Sequence, residues 1–238
     1  EVNNLTIMEP IVNHLPSWWT VGSNVGQITF RDLLRHESGF LPAQDAVNYL
    51  QIRNEVANGI SNSDYGVYDY ENMNFCILRI LIPIMNGDFD RTTPQTDANS
   101  QLLTTTAFMD YLRTQIFDQL NVDISCDNAD QVLYYSFANP SLPGEDPENE
   151  CNNAGGGTLS MSANDLCKTM HFAFFTNDLL SNDMQALMFD ASDPGDLGLG
   201  CYSNELNGSE SWGWLFHHNG GFTINGRGAA ACWYIFHN

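Results

Sequence analysis

The apolar residues of this chain change their spacing from a helical period in the middle to a strand period near the C-terminal end. Residues 73–85 form a strongly apolar helical stretch, and residues 106–120 place large apolar side chains at helical spacing. Residues 212–217 and 228–236 are rich in aromatic and apolar side chains and predict two strands. The chain is therefore expected to be an α+β protein with a helical part and a sheet.

Capping residues predict further elements. Thr29 is expected to cap a helix over 30–34 that exits near Gly39, and Ser162 is expected to cap a helix over 163–174. Residues 41–60 predict another helix, and the polar segments 86–100 and 139–153 predict loops. The candidate core positions of the two central helices are Ala46, Leu50, Ile52 and Val56, followed by Phe108, Met109, Leu112, Ile116 and Phe117.

The charge balance excludes several classes of partner. The 238 residues carry 29 acidic side chains and 8 Lys plus Arg, for a formal net charge of −21. Such a surface repels phosphate backbones and anionic lipid, so we expect neither a nucleic-acid nor a membrane partner. The run that comes nearest to a membrane span, 77–85, is short and broken by Arg79, so it predicts a buried helix. No basic segment followed by an apolar stretch marks a signal peptide in this chain.

Six cysteines without a CxxC pair favour disulfides over a zinc ribbon or a redox motif. We expect two pairs and two buried thiols: Cys126 with Cys151, Cys201 with Cys232, and Cys76 and Cys167 in apolar helical patterns. Two sequons, Asn4-Leu5-Thr6 and Asn207-Gly208-Ser209, suit a glycoprotein. Acidity, an even cysteine count and scarce lysine together favour secretion into an oxidising compartment.

Metal-ligand patterns are incomplete in this sequence. His36-Glu37 lacks the second His of a zinc-protease motif. Asp123, Ser125 and Asp127 lack the Gly and Glu that complete a calcium loop. We therefore expect no metal and no cofactor.

Four short blocks occur in order between residues 28 and 221. They are ITFRDLLRHESGF at 28–40, the segment 69–82 that opens with Tyr70-Glu71-Asn72, AGGGTLSMSANDL at 154–166, and HNGG at 218–221. They resemble the blocks ITxRxLLxHTSGL, YSNxxYxLLGxII, AGGLxSTAxDL and HTGG of the serine β-lactamase, penicillin-binding protein and esterase superfamily. The chain is most similar to the branch that holds class C β-lactamases, D-aminopeptidases and esterases.

This resemblance implies a β-lactamase/transpeptidase-like fold, in which a helical subdomain packs on an antiparallel sheet. It implies a single domain over 1–238, with a mostly helical subdomain at about 41–153 and an α/β subdomain formed by 1–40 and 154–238. Residues 5–19 resemble the family segment that lies downstream of the nucleophile helix, and the family continues beyond the last strand. We therefore expect an incomplete sheet whose apolar edge needs a complementary polypeptide.

The resemblance also implies catalytic roles in acyl transfer through a serine ester. Tyr70 would be the general base or the proton relay to the leaving group. Asn72 would orient the substrate amide, and His218 would stand where many relatives have lysine. The backbone N–H of Gly221 would form half of the oxyanion hole.

Substrate contacts would come from Asn219 and Gly220 of the same block. Arg227 could supply a substitute positive charge, or it could be a surface residue after a turn. A histidine at position 218 is largely neutral near pH 7, whereas carboxylate-bearing β-lactams favour a cation there. Neutral esters and D-amino-acid amides do not need one. Arg79 also departs from the pattern, because the family usually has glycine at this position.

The motif residues also have purely structural interpretations. Tyr70 could be an aromatic residue at a helix entry, with Asn72 as its N-cap. The glycines at 155–157 could form a plain turn. Histidines 217 and 218 are poor joint metal ligands, because adjacent strand residues point to opposite faces.

The family's Ser-x-x-Lys nucleophile motif does not occur in these residues, since the single lysine, Lys168, has Asp165 three positions before it. The first hypothesis is a hydrolase core that acts on a small ester, amide or peptide, with the nucleophile on a complementary polypeptide. The second is a non-catalytic secreted binding protein, of lectin, toxin or storage type, that uses the active-site cleft of the resembling family as a ligand pocket.

Overall fold

A computed structural model of the chain describes residues 6–41, 47–126, 133–145, 151–189, 198–207, 211–224 and 226–237. The expected core position Ala46, the first two positions of the sequon at Asn4 and the last two positions of the sequon at Asn207 lie outside these residues. The chain divides into two compact units. The first is Glu1–Asn121 with Glu150–Leu159, and the second is Val122–Asn149 with Ser160–Asn238.

The described part of the first unit holds five α-helices. They are α1 (Phe30–Leu34), α2 (Tyr49–Asn58), α3 (Met73–Cys76), α4 (Leu78–Asn86) and α5 (Asp97–Leu112), with a π-helical turn at Arg113–Phe117 and 3-10 turns at Ile11–His14, Val25–Gln27, Asp118–Leu120 and Cys151–Asn153. The predicted cap of α1 is confirmed, because Thr29 Oγ1 accepts the Asp32 N–H and the Asp32 carboxylate accepts the Thr29 N–H. No helix in the described ranges is long and apolar enough to cross a membrane.

Helices α2 and α5 differ from the sequence prediction, and the single helix predicted over 73–85 is divided into α3 and α4. In α2, Ile52 and Val56 are buried as predicted, but Leu50 is exposed and Tyr49 takes its place in the core. Helix α5 begins at Asp97, inside the segment expected to be a loop. The reason is a local cap, since Thr96 Oγ1 accepts the N–H of Asn99 and starts the helix there.

A large apolar core lies in the first unit. Ile11, Leu15 and Leu33 are fully or almost fully buried in the same cluster as Ile77 and Ile80. Burial of each such side chain stabilises the fold by about 1.5–3 kcal/mol. The N-terminal segment therefore packs with the helices, although the sequence-based grouping placed residues 1–40 with the sheet.

Arg79 is fully buried within this unit. Its Nη1 donates to Thr105 Oγ1 at 2.8 Å and its Nη2 donates to the carbonyl oxygen of Val47 at 2.8 Å. Burial lowers the pKa of the guanidinium to about 10, an effect that Cys76 opposes. At a position where the resembling family has glycine, this chain thus carries a side chain that links α4 to α5 and to residue 47.

The second unit holds an antiparallel sheet with the strand order β1-β4-β3-β2. The strands are β1 (Tyr135–Ser136), β2 (Tyr202–Asn207), β3 (Ser211–Ile224) and β4 (Arg227–His237). Strand β1 pairs with β4 only at Gly228 and Arg227, so no described strand pairs with the outer edge of β4 beyond this point. The expected α+β class and the open antiparallel sheet are both confirmed.

Helices α6 (Ala163–Phe174) and α7 (Asn182–Met188) cover one face of this sheet. Phe174 packs there with Phe216 and Ile235, while Tyr234 and Phe236 alternate with Ile235 and are 50% and 65% exposed on the other face. The predicted Ser162 cap of α6 is confirmed. Helix α7 and strand β2 were not predicted, and Cys167 of α6 is exposed, not buried as expected.

One of the two predicted disulfides is present. Cys126 and Cys151 are disulfide-bonded. The predicted pair of Cys201 and Cys232 is wrong, because both are thiols, one buried and the other exposed. Cys201 belongs to the apolar cluster on one face of the sheet, whereas Cys232 lies opposite Asn219 and points to the other face. Burial raises the pKa of the Cys201 thiol to about 12.

Candidate active site

The site residues implied by the resemblance fall into two sets, one in each unit. Tyr70 and Asn72 belong to the first unit, whereas residues 218–221 and Arg227 belong to the second. Each set of residues makes contacts within its own unit.

Tyr70 lies in the loop before α3 with its ring against the imidazole of His36. The two ring centroids are 4.3 Å apart and the planes are 27° from parallel. Tyr68 meets the same imidazole edge-on at 6.3 Å, and the N–H of Asp69 donates to the carbonyl oxygen of His36 at 2.9 Å. Tyr70 remains 40% exposed. The side chain is therefore held on one face and still accessible.

His36 is in turn held by a buried polar network. Its Nδ1 lies 3.0 Å from the donating N–H nitrogen of Glu71 and 3.2 Å from Nδ2 of Asn74. The Ser38 hydroxyl donates to Oδ1 of Asn74 at 2.6 Å. His36 has a φ of 55°, a left-handed conformation that costs a non-glycine residue about 1–2 kcal/mol. The network holds this conformation and joins the first sequence block to the second.

Sequence reasoning did not find this network. His36-Glu37 stands out in the sequence only as half of a metal motif, and Ser38 and Asn74 are separated by 36 residues without any periodic pattern. The sequence does contain one usable signal for a buried polar network. His36 follows the helix predicted over 30–34, and the same block, 28–40, also contains Ser38. Polar residues at such a position need buried partners.

Asn72 precedes α3 in a helical conformation, with φ −58° and ψ −30°. Its side chain makes no capping bond, and only its carbonyl oxygen serves the helix by accepting the N–H groups of Phe75 and Cys76. The interpretation of Asn72 as a side-chain N-cap therefore does not hold. Its half-buried amide is not used to start the helix.

The glycine-rich turn packs directly against Asn72 and Cys76. Gly155 has φ +104°, and a Cβ there would lie 2.7 Å from the carbonyl oxygen of Phe75. A Cβ on Gly156 would overlap Cys76 Sγ and lie 3.2 Å from the Asn72 carbonyl oxygen. Cys76 is a buried thiol, as predicted. The turn is thus a packed support for the Tyr-x-Asn segment and not a plain surface turn.

His218 lies on β3 opposite Trp233 of β4. Burial lowers the pKa of its imidazole below the ordinary value of 6.5, and the adjacent His217 acts in the same direction, while a hydrogen bond with the backbone of Asn219 opposes both. The imidazole is therefore mainly neutral at pH 7. It supplies hydrogen bonding at this position and not a fixed positive charge.

His217 points to the other face of the sheet. Its ring stacks on Tyr202 of β2 and on Tyr234 of β4, with centroid distances of 5.5 Å in both cases. Asn219 shares this face, and its Oδ1 accepts the hydroxyl of Tyr234 at 3.3 Å. The ring of Tyr202 also lies 5.7 Å from the ring of His218, so this tyrosine contacts both imidazoles. Over the described ranges, no group of three or more His, Cys, Asp or Glu side chains could hold a metal ion.

Gly220 and Gly221 leave β3 uncovered at one point. They lie opposite Ala231 and Ala230 of β4, and neither has a positive φ. A methyl group on Gly221 would meet nothing within 4 Å, and one on Gly220 would meet only the Ala231 carbonyl oxygen at 3.9 Å. Neither packing within the chain nor backbone conformation requires glycine here. Missing side chains at this point leave the backbone open to an approaching molecule.

Arg227 lies at the turn between β3 and β4 and is already engaged. Its Nη2 forms an ion pair with Glu145 at 2.6 Å, and its Nη1 donates to the carbonyl oxygen of Pro143 at 3.4 Å. Gly221 pairs with Ala230, and Arg227 lies three residues before Ala230 along β4. This spacing corresponds to roughly 10 Å along the strand. The guanidinium and the Gly221 backbone are therefore separate features of the hairpin.

A family model for Beta-lactamase matches residues 3–235 of the chain. A search of curated proteins found no significant match.

Solved structures of the same fold include three with a clear overlap. A class C β-lactamase from Rhodobacter sphaeroides is 16% identical with a TM-score of 0.64, covering 96% of this chain and 69% of that one. A D-amino acid amidase from Ochrobactrum anthropi SV3, complexed with D-phenylalanine, is 16% identical with a TM-score of 0.60, covering 97% and 70%. SurE with D-Leu is 18% identical with a TM-score of 0.58, covering 96% and 51%. The chain thus spans about half of SurE and about two thirds of the other two.

Proposed function

This chain belongs to the β-lactamase family, and on that premise we propose that it is the core of a serine hydrolase that cleaves a small ester, amide or peptide. Tyr70 acts as the general base or the proton relay, and Asn72 orients the substrate amide. The N–H of Gly221 binds the oxyanion. The nucleophilic serine comes from polypeptide outside the 238 residues, because these contain no Ser-x-x-Lys.

The way in which Tyr70 is held carries this proposal. A tyrosine that served only as an aromatic residue at a helix entry would need no polar support. Here a buried network fixes the ring through His36, while 40% of the residue stays exposed. Proton transfer requires a group that is both fixed and reachable, because it must lie within hydrogen-bond distance of the proton that it moves.

The open backbone at Gly220 and Gly221 supports the oxyanion role. Oxyanion holes use N–H groups that are preorganised before the negative charge develops. Glycines that the fold itself does not require are consistent with a strand that a substrate must approach closely.

The neutral state of His218 favours a substrate without a carboxylate at this position. The lowered pKa of the imidazole removes the cation that a lysine would supply. Arg227 is paired with Glu145, and the chain has a net charge of −21, so little positive charge remains to attract an anion. Neutral esters and amides suit such a site better than doubly anionic ligands.

Amides are also the class suggested by one structural neighbour. The D-amino acid amidase acts on amides by its name and is complexed with D-phenylalanine. Its 16% identity supports a shared fold, so this comparison points to a substrate class and not to a particular substrate.

The proposed nucleophile segment and the open sheet edge point to the same partner. Tyr234 and Phe236 are exposed on the stretch of β4 whose outer edge pairs with no described strand. An exposed apolar edge is an aggregation hazard unless something covers it. We propose a complementary polypeptide that covers this edge and also carries Ser-x-x-Lys. The disulfide of Cys126 and Cys151 supports assembly in an oxidising, extracellular setting.

A second candidate function is a non-catalytic secreted binding protein that uses the same cleft. The absence of Ser-x-x-Lys from the 238 residues is the observation that favours it. In that case the exposed Tyr70 contacts a ligand without chemistry.

Covalent labelling of the intact natural protein separates the two functions. The protein is incubated with a fluorophosphonate or a labelled penicillin and analysed by mass spectrometry, both reduced and unreduced. The enzyme proposal predicts an adduct on a serine that is followed three residues later by lysine, in polypeptide that accompanies this chain. An adduct on a serine among the 238 residues contradicts the external nucleophile. Retained affinity for a D-amino-acid amide without any adduct favours the binding protein.

A further inference from the structure

His36 lies beside Tyr70 but is shielded from solvent. It is 1% exposed, whereas Tyr70 is 40% exposed. A side chain buried to this degree does not touch a substrate. Any influence of His36 on a reaction must therefore pass through the residues that it contacts.

The hydrogen bonds around His36 define its protonation state. Asn74 Oδ1 accepts the Ser38 hydroxyl, so the amide nitrogen of Asn74 faces the imidazole and donates to Nδ1. The backbone N–H of Glu71 donates to the same Nδ1. With two donors directed at it, Nδ1 must carry its lone pair. The proton of the neutral imidazole is then on Nε2.

His36 restrains Tyr70 in two ways. Its Nδ1 fixes the peptide N–H of Glu71, the group that directly follows Tyr70 along the chain. Its ring plane lies against the phenol ring at 4.3 Å. The hydrogen bond fixes the backbone position from which the Tyr70 side chain projects, and the stacking fixes the orientation of its ring.

We propose that His36 is a positioning residue for Tyr70, acting as an Nε2-protonated imidazole that aims the phenol toward the reaction. This inference rests on the proposed function for its catalytic consequence. Its structural content, the tautomer and the control of the Tyr70 ring, stands independently of turnover. A purely structural histidine would contribute to stability alone and would leave the orientation of Tyr70 unchanged when replaced.

Nuclear magnetic resonance of the full chain tests the structural content first. Nitrogen-15 spectra of the imidazole are expected to show Nε2 protonated and Nδ1 as a hydrogen-bond acceptor. Contacts between the imidazole protons and the Tyr70 ring protons are expected as well, with Tyr70→Phe used to assign the ring. A proton on Nδ1 or the absence of these contacts would overturn the proposal without any variant of His36.

The variant His36→Asn then separates the two restraints. Its Oδ1 can replace Nδ1 as acceptor, and asparagine tolerates the left-handed backbone, but the ring is lost. We expect the Glu71 N–H to remain hydrogen-bonded, so that its amide signal stays in place, while the Tyr70 ring signals shift. In the full chain with its complementary polypeptide, kcat is expected to fall about 10- to 100-fold with KM within about twofold.

The outcomes distinguish this inference from the proposed function. If His36→Asn lowers the melting temperature but leaves the Tyr70 ring signals and kcat unchanged, His36 is structural only and the inference fails. If the wild-type protein shows no turnover but the ring signals shift in the variant, the positioning is upheld and the hydrolase proposal fails.

Discussion

The hydroxyl of Ser38 donates a 2.6 Å hydrogen bond to Oδ1 of Asn74, and both residues are 1% exposed. This contact ties the segment after α1 to α3, and it turns the Asn74 amide toward His36. A buried amide in a low-dielectric interior needs its partners, because an unsatisfied polar group is costly there. The orientation of the candidate general base thus depends on a serine that would not touch the substrate.

Removal of this hydroxyl is expected to destabilise the first unit. The Ser38 hydroxyl donates to Oδ1 of Asn74 and accepts the N–H of Phe40. Ser38→Ala therefore leaves both groups without this hydrogen-bond partner. The free energy of unfolding should fall by about 1–3 kcal/mol, measured by urea denaturation. The matched control is Ser63→Ala, whose hydroxyl is bonded but exposed, with a change within about 0.5 kcal/mol. Equal changes in the two variants would contradict the importance of the buried network.

The glycine turn behind Asn72 gives a second test. A methyl group in Gly156→Ala would overlap Cys76 Sγ and press on the Asn72 carbonyl oxygen, so the free energy of unfolding should fall by about 1–3 kcal/mol. Gly157→Ala is the control, because a Cβ there meets nothing within 4 Å and its φ is not positive. Adding Cys76→Ala should recover part of the loss, which a double-mutant cycle would detect. A loss that is strictly additive would place the strain elsewhere.

The sequence predicted those features that depend on neighbours along the chain. The caps at Thr29 and Ser162 are confirmed because an N-cap is set within three residues. The network of His36 and Asn74 was missed because it joins isolated polar residues 38 positions apart. Pairing of Cys201 with Cys232 failed because the choice of sheet face depends on packing and not on the sequence spacing.

His218 should make the second unit sensitive to acid. Its folded pKa lies below the unfolded value of about 6.5, so the unfolded chain binds more protons in the interval between the two. The free energy of unfolding should therefore fall as the pH drops from about 6.5 toward the folded pKa, and it should be unaffected by this group above that range. His218→Gln removes the titration, so its unfolding free energy should decline less between about pH 7.5 and 5.5 in urea titrations. A steeper decline in the variant than in the wild type would reverse the sign and refute the argument.

Tyr70→Phe tests the role of the phenol directly. The change removes only the hydroxyl and keeps the ring that stacks on His36, so the free energy of unfolding should change by less than about 0.5 kcal/mol. If Tyr70 moves a proton during acyl transfer, kcat/KM for a small ester or amide should fall about 10²- to 10⁴-fold. The control is Tyr68→Phe, an exposed tyrosine that meets the same imidazole edge-on, which should keep near wild-type activity. Both variants are measured in the presence of the proposed complementary polypeptide. If Tyr70→Phe retains full activity, the proton is moved by another group, and the accessible phenol serves only to contact the substrate.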